Sequence, residues 1–297
     1  MANELRTRGE KAFAVFNYIF MTILCLICIY PLWYVLVSSI SDPVLLYMQR
    51  GIMIWPLGEW NVRGYQLVME NPNIPNGFRN TLIYLGVGTF LNMAITTMAA
   101  YGLSRKDCYW NAKIMKMIAF TMYFAGGLIP FYLMVKSMNL LDTYSGIIMP
   151  VLVNTWNLIV MRTAFAGIPD SLEESARLDG ANDWTILWRI FFPLAQATIA
   201  VIALFYAVYW WNNWFNPSIF LSSKEKYPLQ LVLREILLKN DTSSMTQVGS
   251  VGQSQQEQFR MLVKYCTIIV ATVPILIVYP FLQRYFVKGV MVGSIKG

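Results

Sequence analysis

The chain has 297 residues, is 57% hydrophobic and only 13% charged, and has a mean hydropathy of +0.48. Soluble domains usually carry about 25% charged residues, so this composition excludes an ordinary soluble protein. The net charge of +7 includes no basic stripe interleaved with aromatic residues, and nucleic acid is therefore not an expected partner.

Uncharged apolar runs recur along the chain, and each is long enough to cross a bilayer as a helix, which takes about 20 residues. The predicted spans are residues 13–38, 80–103, 117–135, 143–162, 193–216 and 264–284. A transmembrane β-barrel would alternate polar and apolar residues, and these runs do not. The first run is too long for a signal peptide and lacks a small-x-small cleavage pattern. The sequence predicts an all-α integral membrane protein of six spans, with residues 1–297 forming one transmembrane domain.

The placement of lysine and arginine predicts the orientation of the spans. Residues 1–12 and 104–116 together carry seven Lys and Arg, whereas the longer 38–79 connection carries three. Because positive charge concentrates on the cytoplasmic side, both termini are expected in the cytoplasm. Residues 217–262 then form an outer loop. It is expected to begin with a short helix lying on the bilayer at residues 227–234 and to become a flexible polar segment over 242–256.

The loop at residues 168–193 is expected inside, and it contains the most informative pattern. Pro169, Asp170, Glu173 and Glu174 suit the start of a helix, and Gly180 suits its end. A second helix is expected to follow and to run into the fifth span. A short acidic helix between two spans is suited to docking into a groove on a cytoplasmic partner.

Other patterns allow other functions. Asp179 and Asp183 form a D-x-x-x-D that could hold Mg²⁺ in a membrane-embedded transferase, but no second acidic cluster accompanies it. A secondary transporter would place an ionisable group in the middle of the membrane, and the cores of the six runs contain none. Cys25 and Cys28 form a C-x-x-C without further zinc ligands, so they are expected to be packing residues. No catalytic residue and no metal site is predicted.

The 168–193 loop resembles the EAA loop of bacterial ABC importer permeases. The matching residues are Glu174-Ser175-Ala176, Asp179-Gly180-Ala181, Ile190 and Pro193. Two positions depart from that pattern, because Ser175 stands where alanine is usual and Ala197 where a second proline often follows. Residues 126–130 (Gly-Gly-Leu-Ile-Pro), 140–144 (Leu-Leu-Asp-Thr-Tyr), 227–230 (Tyr-Pro-Leu-Gln) and the tail from 283 are similar to one branch. That branch is the LplC-type oligosaccharide permeases, relatives of the smaller maltose-permease subunit.

The resemblance implies a type I importer permease fold in the bacterial cytoplasmic membrane. It also implies a homologous second permease, two ATPase subunits and an extracytoplasmic solute-binding protein as partners, with an oligosaccharide as the solute. ATP and Mg²⁺ would bind the ATPase subunits, since this sequence has no G-x-x-x-x-G-K-[ST] loop and no cofactor of its own is expected. A non-sugar solute is the alternative within the same class.

The resemblance further implies two groups of ATPase contacts. The residues of the coupling loop are Glu173, Glu174, Ala176, Asp179, Gly180, Ala181 and Pro193. Ala176 and Gly180 are expected to permit close approach to a groove in the ATPase, and Glu174 to make the main ionic contact. The residues of the C-terminal contact are Gly293, Ser294 and Lys296.

Polar residues inside apolar spans mark either a solute path or bonds between helices. The candidates for the path are Asn92, Asn154, Asn157, Tyr209, Asn212 and Asn213. For Asn92, bonding between helices is the competing interpretation. Tyr209, Asn212, Asn213 and Asn216 would form one stripe on the fifth span, beside Trp210, Trp211 and Trp214. The stripe could contact a sugar or belong to an aromatic belt at the membrane surface.

Overall fold

A computed structural model describes residues 8–107, 109–124, 126–239 and 253–294, and within them every regular element is helical. The helices in the first half of the chain are α1 (Arg8–Ser39), α2 (Pro43–Met48), α3 (Arg63–Glu70), α4 (Asn73–Ser104), α5 (Asn111–Tyr123), α6 (Leu128–Ser137) and α7 (Tyr144–Ile148). Those in the second half are α8 (Thr155–Ala166), α9 (Asp170–Leu178), α10 (Asp183–Ile186), α11 (Phe192–Leu194), α12 (Gln196–Asn212), α13 (Phe215–Phe220), α14 (Leu229–Lys239) and α15 (Gln253–Ser294). A π-helical segment, Leu187–Phe191, joins α10 to α11.

Three helical stretches are long and apolar enough to cross a membrane unaided: Gly9–Ser39, Asn73–Ser104 and Glu257–Ile277. Three bent pairs of helices also qualify when each pair is taken together, which gives between three and six candidate spans in the described residues. The pair Tyr144–Val151 and Thr155–Ala166 bends by 50°, and the pair Asp183–Leu194 and Gln196–Asn212 by 87°. The apolar runs did not reveal these bends, because hydropathy records composition and not backbone direction.

Backbone contacts divide the chain into two compact units. Among the described residues, one comprises 8–71 together with 236–239 and 253–273. In it, Gly64 of α3 lies so close to α15 that a Cβ there would come within 2.6 Å of Cys266 Sγ. The Cys266 thiol donates to the carbonyl of Ser39 at 3.3 Å, and the hydroxyls of Ser39 and Tyr65 are 2.6 Å apart. This unit therefore joins the end of α1 to α3 and α15.

The other unit comprises the described residues of 72–235 together with 274–294. Its centre is α4, which packs against α8 and α12. Gly88 makes that approach possible, because a Cβ at this position would overlap the indole of Trp210. One apolar cluster surrounds Tyr101, Phe165 and Phe191, and a second surrounds Tyr84 and Trp210.

Two expectations about residues 217–262 need correction. The segment expected to lie on the bilayer forms α14, whose Leu229, Leu231 and Val232 are at most 5% exposed, so this face packs within the protein. Residues 253–256, expected in a flexible loop, form the first turn of α15, since glutamine favours helix. Most of that polar loop, residues 242–252, lies outside the described residues.

Candidate functional site

The acidic helix predicted between the fourth and fifth runs is present as α9. Pro169 occupies its N-cap position, and Asp170 and Glu173 lie in the first turn, where the helix dipole favours negative charge. At the other end the Ala181 N–H donates to the Ala176 carbonyl at 2.9 Å. Together with a bond from the Gly180 N–H to the Arg177 carbonyl at 3.0 Å, this forms a Schellman motif.

Gly180 is required by its backbone conformation and not by crowding. Its φ is +79°, in the left-handed region that disfavours side chains, while a Cβ there would meet no atom within 4 Å. The Asp-Gly-Ala sequence at 179–181 therefore stops α9 and turns the chain towards α10. This confirms the predicted helical stop.

A series of ion pairs lies on the inner side of α9, meaning the side that faces the rest of this protein. Glu173, only 9% exposed, accepts from Arg105 at the end of α4 and from Arg177 Nη2 at 2.9 Å. Arg177 also donates to Asp183 Oδ1 at 2.7 Å. The hydrogen bond to Glu173, and in addition the negative charge of the nearby Asp183 carboxylate, raise the pKa of the Arg177 guanidinium. The Asp183 carboxylate is thus engaged by an arginine of its own chain.

A second ion pair joins Asp170, at the start of α9, to Lys106, which follows Arg105. Lys106 donates to Asp170, and both side chains are largely exposed. The hydrogen bond raises the pKa of Lys106 and lowers that of Asp170. Two adjacent cations at the end of α4 therefore bind two carboxylates, one turn apart, on α9.

The outer side of α9, meaning the side that faces away from the rest of this protein, presents a different surface. Glu174 and Asp179 are exposed, and Leu178 is 90% exposed, unusually high for a leucine on an amphipathic helix. Ala176 and Ala181 pack instead against the apolar cluster around Phe165 and Phe191. The expectation that Ala176 permits close approach of a partner stays a prediction, although its methyl group is partly buried against its own protein.

Pro193 lies exposed in α11, just before the 87° bend into α12. Proline has no N–H to donate, so the helical bond pattern is interrupted there. The π-helical turn immediately before it is a second irregularity of a kind found frequently at functional sites. Of the expected C-terminal contact residues, Gly293 and Ser294 lie in the last turn of α15, and Lys296 lies outside the described residues.

Asn92 bonds between helices, which confirms one of the two interpretations of its role. The side chain is fully buried, and its amide nitrogen donates to the carbonyls of Val151 and Leu152 at 2.8 and 2.7 Å. Its carbonyl oxygen accepts from Trp210 Nε1 at 2.8 Å. Val151 and Leu152 precede the 50° bend before α8, where carbonyls lack helical partners. Asn92 therefore satisfies the carbonyls at the bend, and both of its amide N–H donors are used there.

Asn154 and Asn157 are brought together at the same bend. Asn154 is the N-cap of α8, and its side chain accepts from the Asn157 N–H at 3.1 Å. Its own N–H donates to the Tyr206 hydroxyl at 3.1 Å. Asn154 is exposed and Asn157 is buried, so only Asn154 presents its side chain to an open surface.

The predicted stripe on the fifth span is interrupted. Helix α12 ends at Asn212 and Asn216 lies on α13, although the Asn216 amide still donates to the Tyr209 hydroxyl at 3.2 Å. Tyr209 and Asn212 are exposed, whereas Asn213 is 9% exposed. Trp210 is 1% exposed and stacks on Tyr84, so it does not belong to an aromatic belt.

Asp142 is a structural residue that sequence reasoning did not single out. It accepts from the backbone N–H groups of Ser222 and Ser223 at 3.2 and 3.0 Å, and from Lys226 Nζ at 3.1 Å. Bonds from Ser223 hold the pKa of the carboxyl well below its usual range. Nearby, Asn80 donates to the Tyr227 carbonyl at 3.0 Å and accepts from Tyr144 at 2.9 Å. The 140–144 and 227–230 motifs therefore meet at one end of α4. In the sequence, the only signal of this contact was that both segments match motifs of the same branch.

Apolar helices, bent pairs of helices that qualify as candidate spans, and an acidic helix between two of these pairs are features typical of a membrane transport subunit. The chain belongs to the family "Binding-protein-dependent transport system inner membrane component", whose model matches residues 1–292. Members of this family are transporter subunits rather than enzymes, and the chain is accordingly a multi-pass protein of the cytoplasmic membrane.

Individual relatives cover nearly the whole chain. It is 36% identical over 290 residues to the polygalacturonan/rhamnogalacturonan transport system permease protein YtcP of Bacillus subtilis, covering 97% of this chain and 99% of that protein. It is also 36% identical over 294 residues to protein LplC of Bacillus subtilis, covering 98% and 97%. A crystal structure of a bacterial ABC transporter that imports the acidic polysaccharide alginate matches with a TM-score of 0.85 and 30% identity, covering 96% of this chain and all of that one. The resemblance noted in the sequence is confirmed.

Proposed function

We propose that this chain is one permease subunit of an ATP-binding-cassette importer that carries an oligosaccharide into the cytoplasm. The observation that carries the proposal is α9, an acidic helix between two candidate spans, stopped by a left-handed glycine and presenting Glu174 and Leu178 outward. The family match and the names of the relatives support the same conclusion.

The importer would contain a homologous second permease, two ATPase subunits and an extracytoplasmic binding protein. ATP and Mg²⁺ would bind the ATPase subunits, and this chain would bind neither. The chain would cross the membrane six times, each bent pair forming one span, with both termini in the cytoplasm. The concentration of lysine and arginine in residues 1–12 and 104–116 supports this orientation, in which α9 and the Arg105–Lys106 end of α4 would lie on the cytoplasmic side.

The outer surface of α9 would dock into a groove of an ATPase subunit. Glu174 would pair with a basic residue there, and the exposed leucine at 178 would fill an apolar part of the groove, since such grooves take an amphipathic helix by its protruding side chains. Asp179 and Gly180 would present the turn, and Pro193 the start of the bend into α12. Glu173 would not contact the ATPase directly but would support α9 from the face that packs on its own protein, because its carboxylate already binds two arginines. Gly293, Ser294 and Lys296 would add a second contact at the C-terminus.

The solute class is supported by what the relatives transport. One relative is named for polygalacturonan and rhamnogalacturonan, and the structural neighbour serves import of alginate. Of the six candidate residues, Asn154, Tyr209 and Asn212 are exposed, and they would offer two amides and a phenol to a solute. Asn92 and Asn157, which are buried, would hold the helices that line the path rather than contact the solute.

The class of solute can be tested with the complete importer, purified through a tag on this chain. ATP hydrolysis in proteoliposomes would be measured with the binding protein and a panel of galacturonate, alginate, arabinose and lactose oligosaccharides, with amino acids and dipeptides as the non-sugar arm. At least one oligosaccharide is expected to stimulate hydrolysis. Stimulation confined to the non-sugar arm would contradict the proposed solute.

Coupling is tested with Glu174→Lys, and Asp107→Lys serves as the control because Asp107 is an exposed carboxylate near the same end of α4. Truncating one partner of a buried charge pair at an interface costs about 2–5 kcal/mol, and reversal should cost more. We expect Glu174→Lys to lose the ATPase subunits on purification, and Asp107→Lys to retain them. Rescue of Glu174→Lys by a reversed charge in the ATPase groove would identify the contact. Normal retention and uptake in Glu174→Lys would show that α9 is not the coupling element.

A further inference from the structure

Arg105 occupies an unusual position for an arginine at the end of a membrane helix. It is the C-cap residue of α4, yet its side chain is only 11% exposed. The guanidinium lies over the ring of Phe191, with Cζ 4.2 Å from the ring centroid, and 5.3 Å from that of Tyr101. A flat cation held against two aromatic rings is fixed in orientation as well as in place.

The fixed guanidinium directs its donors to three other groups. One nitrogen donates to the Glu173 carboxylate on α9, and another donates to the Ser104 hydroxyl at 2.9 Å and approaches the Phe165 carbonyl at 3.5 Å. Phe165 is in the last turn of α8, and Phe191 ends the π-helical segment. One side chain therefore joins α4, α8, α9 and the segment that leads to α11.

Glu173 receives this bond on the inner side of α9, one residue before the outward Glu174. Because consecutive residues on a helix point about 100° apart, holding Glu173 fixes the rotation of α9 about its axis and hence the direction of Glu174. Arg177 binds the other oxygen of Glu173 but is itself on α9 and half-exposed, so it cannot anchor the helix to another element through that bond. Arg105 supplies the anchor.

We propose that Arg105 is a positioning residue for coupling: it sets the rotation of α9 that presents Glu174 to the ATPase subunit and links that helix to α4. The inference rests on the proposed function of α9. The Lys106–Asp170 pair beside it is a poor alternative anchor, because its lysine side chain is 81% exposed and exposed ion pairs hold geometry weakly.

The test uses the complete importer purified through a tag on this chain, with the variants Arg105→Gln, Arg105→Lys and Glu173→Gln and the double variant Arg105→Gln/Glu173→Gln. The matched control is Lys106→Gln. The readouts are the number of ATPase subunits retained per folded permease chain, and the ratio of hydrolysis with the sugar-loaded binding protein to hydrolysis without it. The sugar is whichever of the panel above gives the largest stimulation.

Arg105→Gln is expected to lower that ratio at least tenfold, and Lys106→Gln to change it less than twofold. Arg105→Lys keeps the charge but loses the flat fork, so it should recover only part of the ratio. The double variant should be no worse than the more severe single variant, because both changes remove the same contact.

Three results would overturn the proposal. These are an Arg105→Gln ratio equal to that of Lys106→Gln, a loss of folded chain with an unchanged ratio per folded importer, and full additivity in the double variant. Glu174→Lys, run in parallel, separates the two proposals. If Glu174→Lys fails while Arg105→Gln is normal, only the positioning role is wrong. If Glu174→Lys is normal, the coupling function of α9 is wrong as well.

Discussion

Replacing Asn92 by leucine should remove the polar connection between α4 and the bend before α8. The change leaves the Val151 and Leu152 carbonyls and the Trp210 indole N–H without their partner in a fully buried place. Side-chain hydrogen bonds within membrane proteins contribute about 0.6 kcal/mol each on average and up to about 1.7. Three such bonds predict a loss of about 2–5 kcal/mol in the free energy of unfolding.

The assay is denaturant unfolding of the purified permease in mixed micelles, followed by circular dichroism, with Thr89→Ala as the control. Thr89 lies one turn before Asn92 on α4, and its buried hydroxyl has no hydrogen-bond partner among the described residues. The control should lose less than about 0.5 kcal/mol, since no bond is broken. A loss in Asn92→Leu no larger than that in Thr89→Ala would refute the assignment of Asn92 as the group that satisfies the bend.

Three further predictions concern other parts of the chain. Gly180→Ala should destabilise the end of α9 by about 1–2 kcal/mol through left-handed strain alone, and Gly180→Asn by less, as thermal unfolding would show; equal losses would contradict the strain argument. Asp142→Asn should cost about 1 kcal/mol at neutral pH, a figure reduced because a third of the side chain is exposed. Because the folded-state pKa of Asp142 is depressed, its contribution is present above the unfolded value of about 4 and is lost as pH falls below that, so the native chain and the Asp142→Asn variant should converge in stability on acidification. In a background without native cysteines, a single cysteine at Ser243 should react with an impermeant thiol reagent added to intact cells, whereas one at Thr185 should react only after permeabilisation. The reverse labelling pattern would overturn the orientation.

Sequence reasoning was strongest where the determinants are local. The run at 80–103 forms a helix because its length and composition suffice, and α9 stops at the predicted glycine because the Schellman motif needs only residues 176–181. The resemblance was visible for the same reason, since the loop motif is contiguous in the chain.

Contacts between distant residues were beyond its reach. Arg105 and Glu173 are 68 positions apart, and neither a span boundary nor an acidic helix indicates which cation will meet which carboxylate. Glu173 and Glu174 are the same type of residue, and only the structure shows that Glu173 is buried beside Arg105 while Glu174 is exposed. The bend between Val151 and α8 was missed because an apolar run reads the same whether it is straight or bent.

If the proposed function is right, this chain moves a sugar only when its partner subunits hydrolyse ATP. The direct measurement is uptake of a radiolabelled oligosaccharide, chosen from the panel above, into proteoliposomes containing the purified importer, with ATP inside and the binding protein outside. We expect uptake that requires both ATP and the binding protein, stops with a non-hydrolysable ATP analogue and disappears in Glu174→Lys. Uptake that proceeds without ATP, driven by an ion gradient alone, would contradict it.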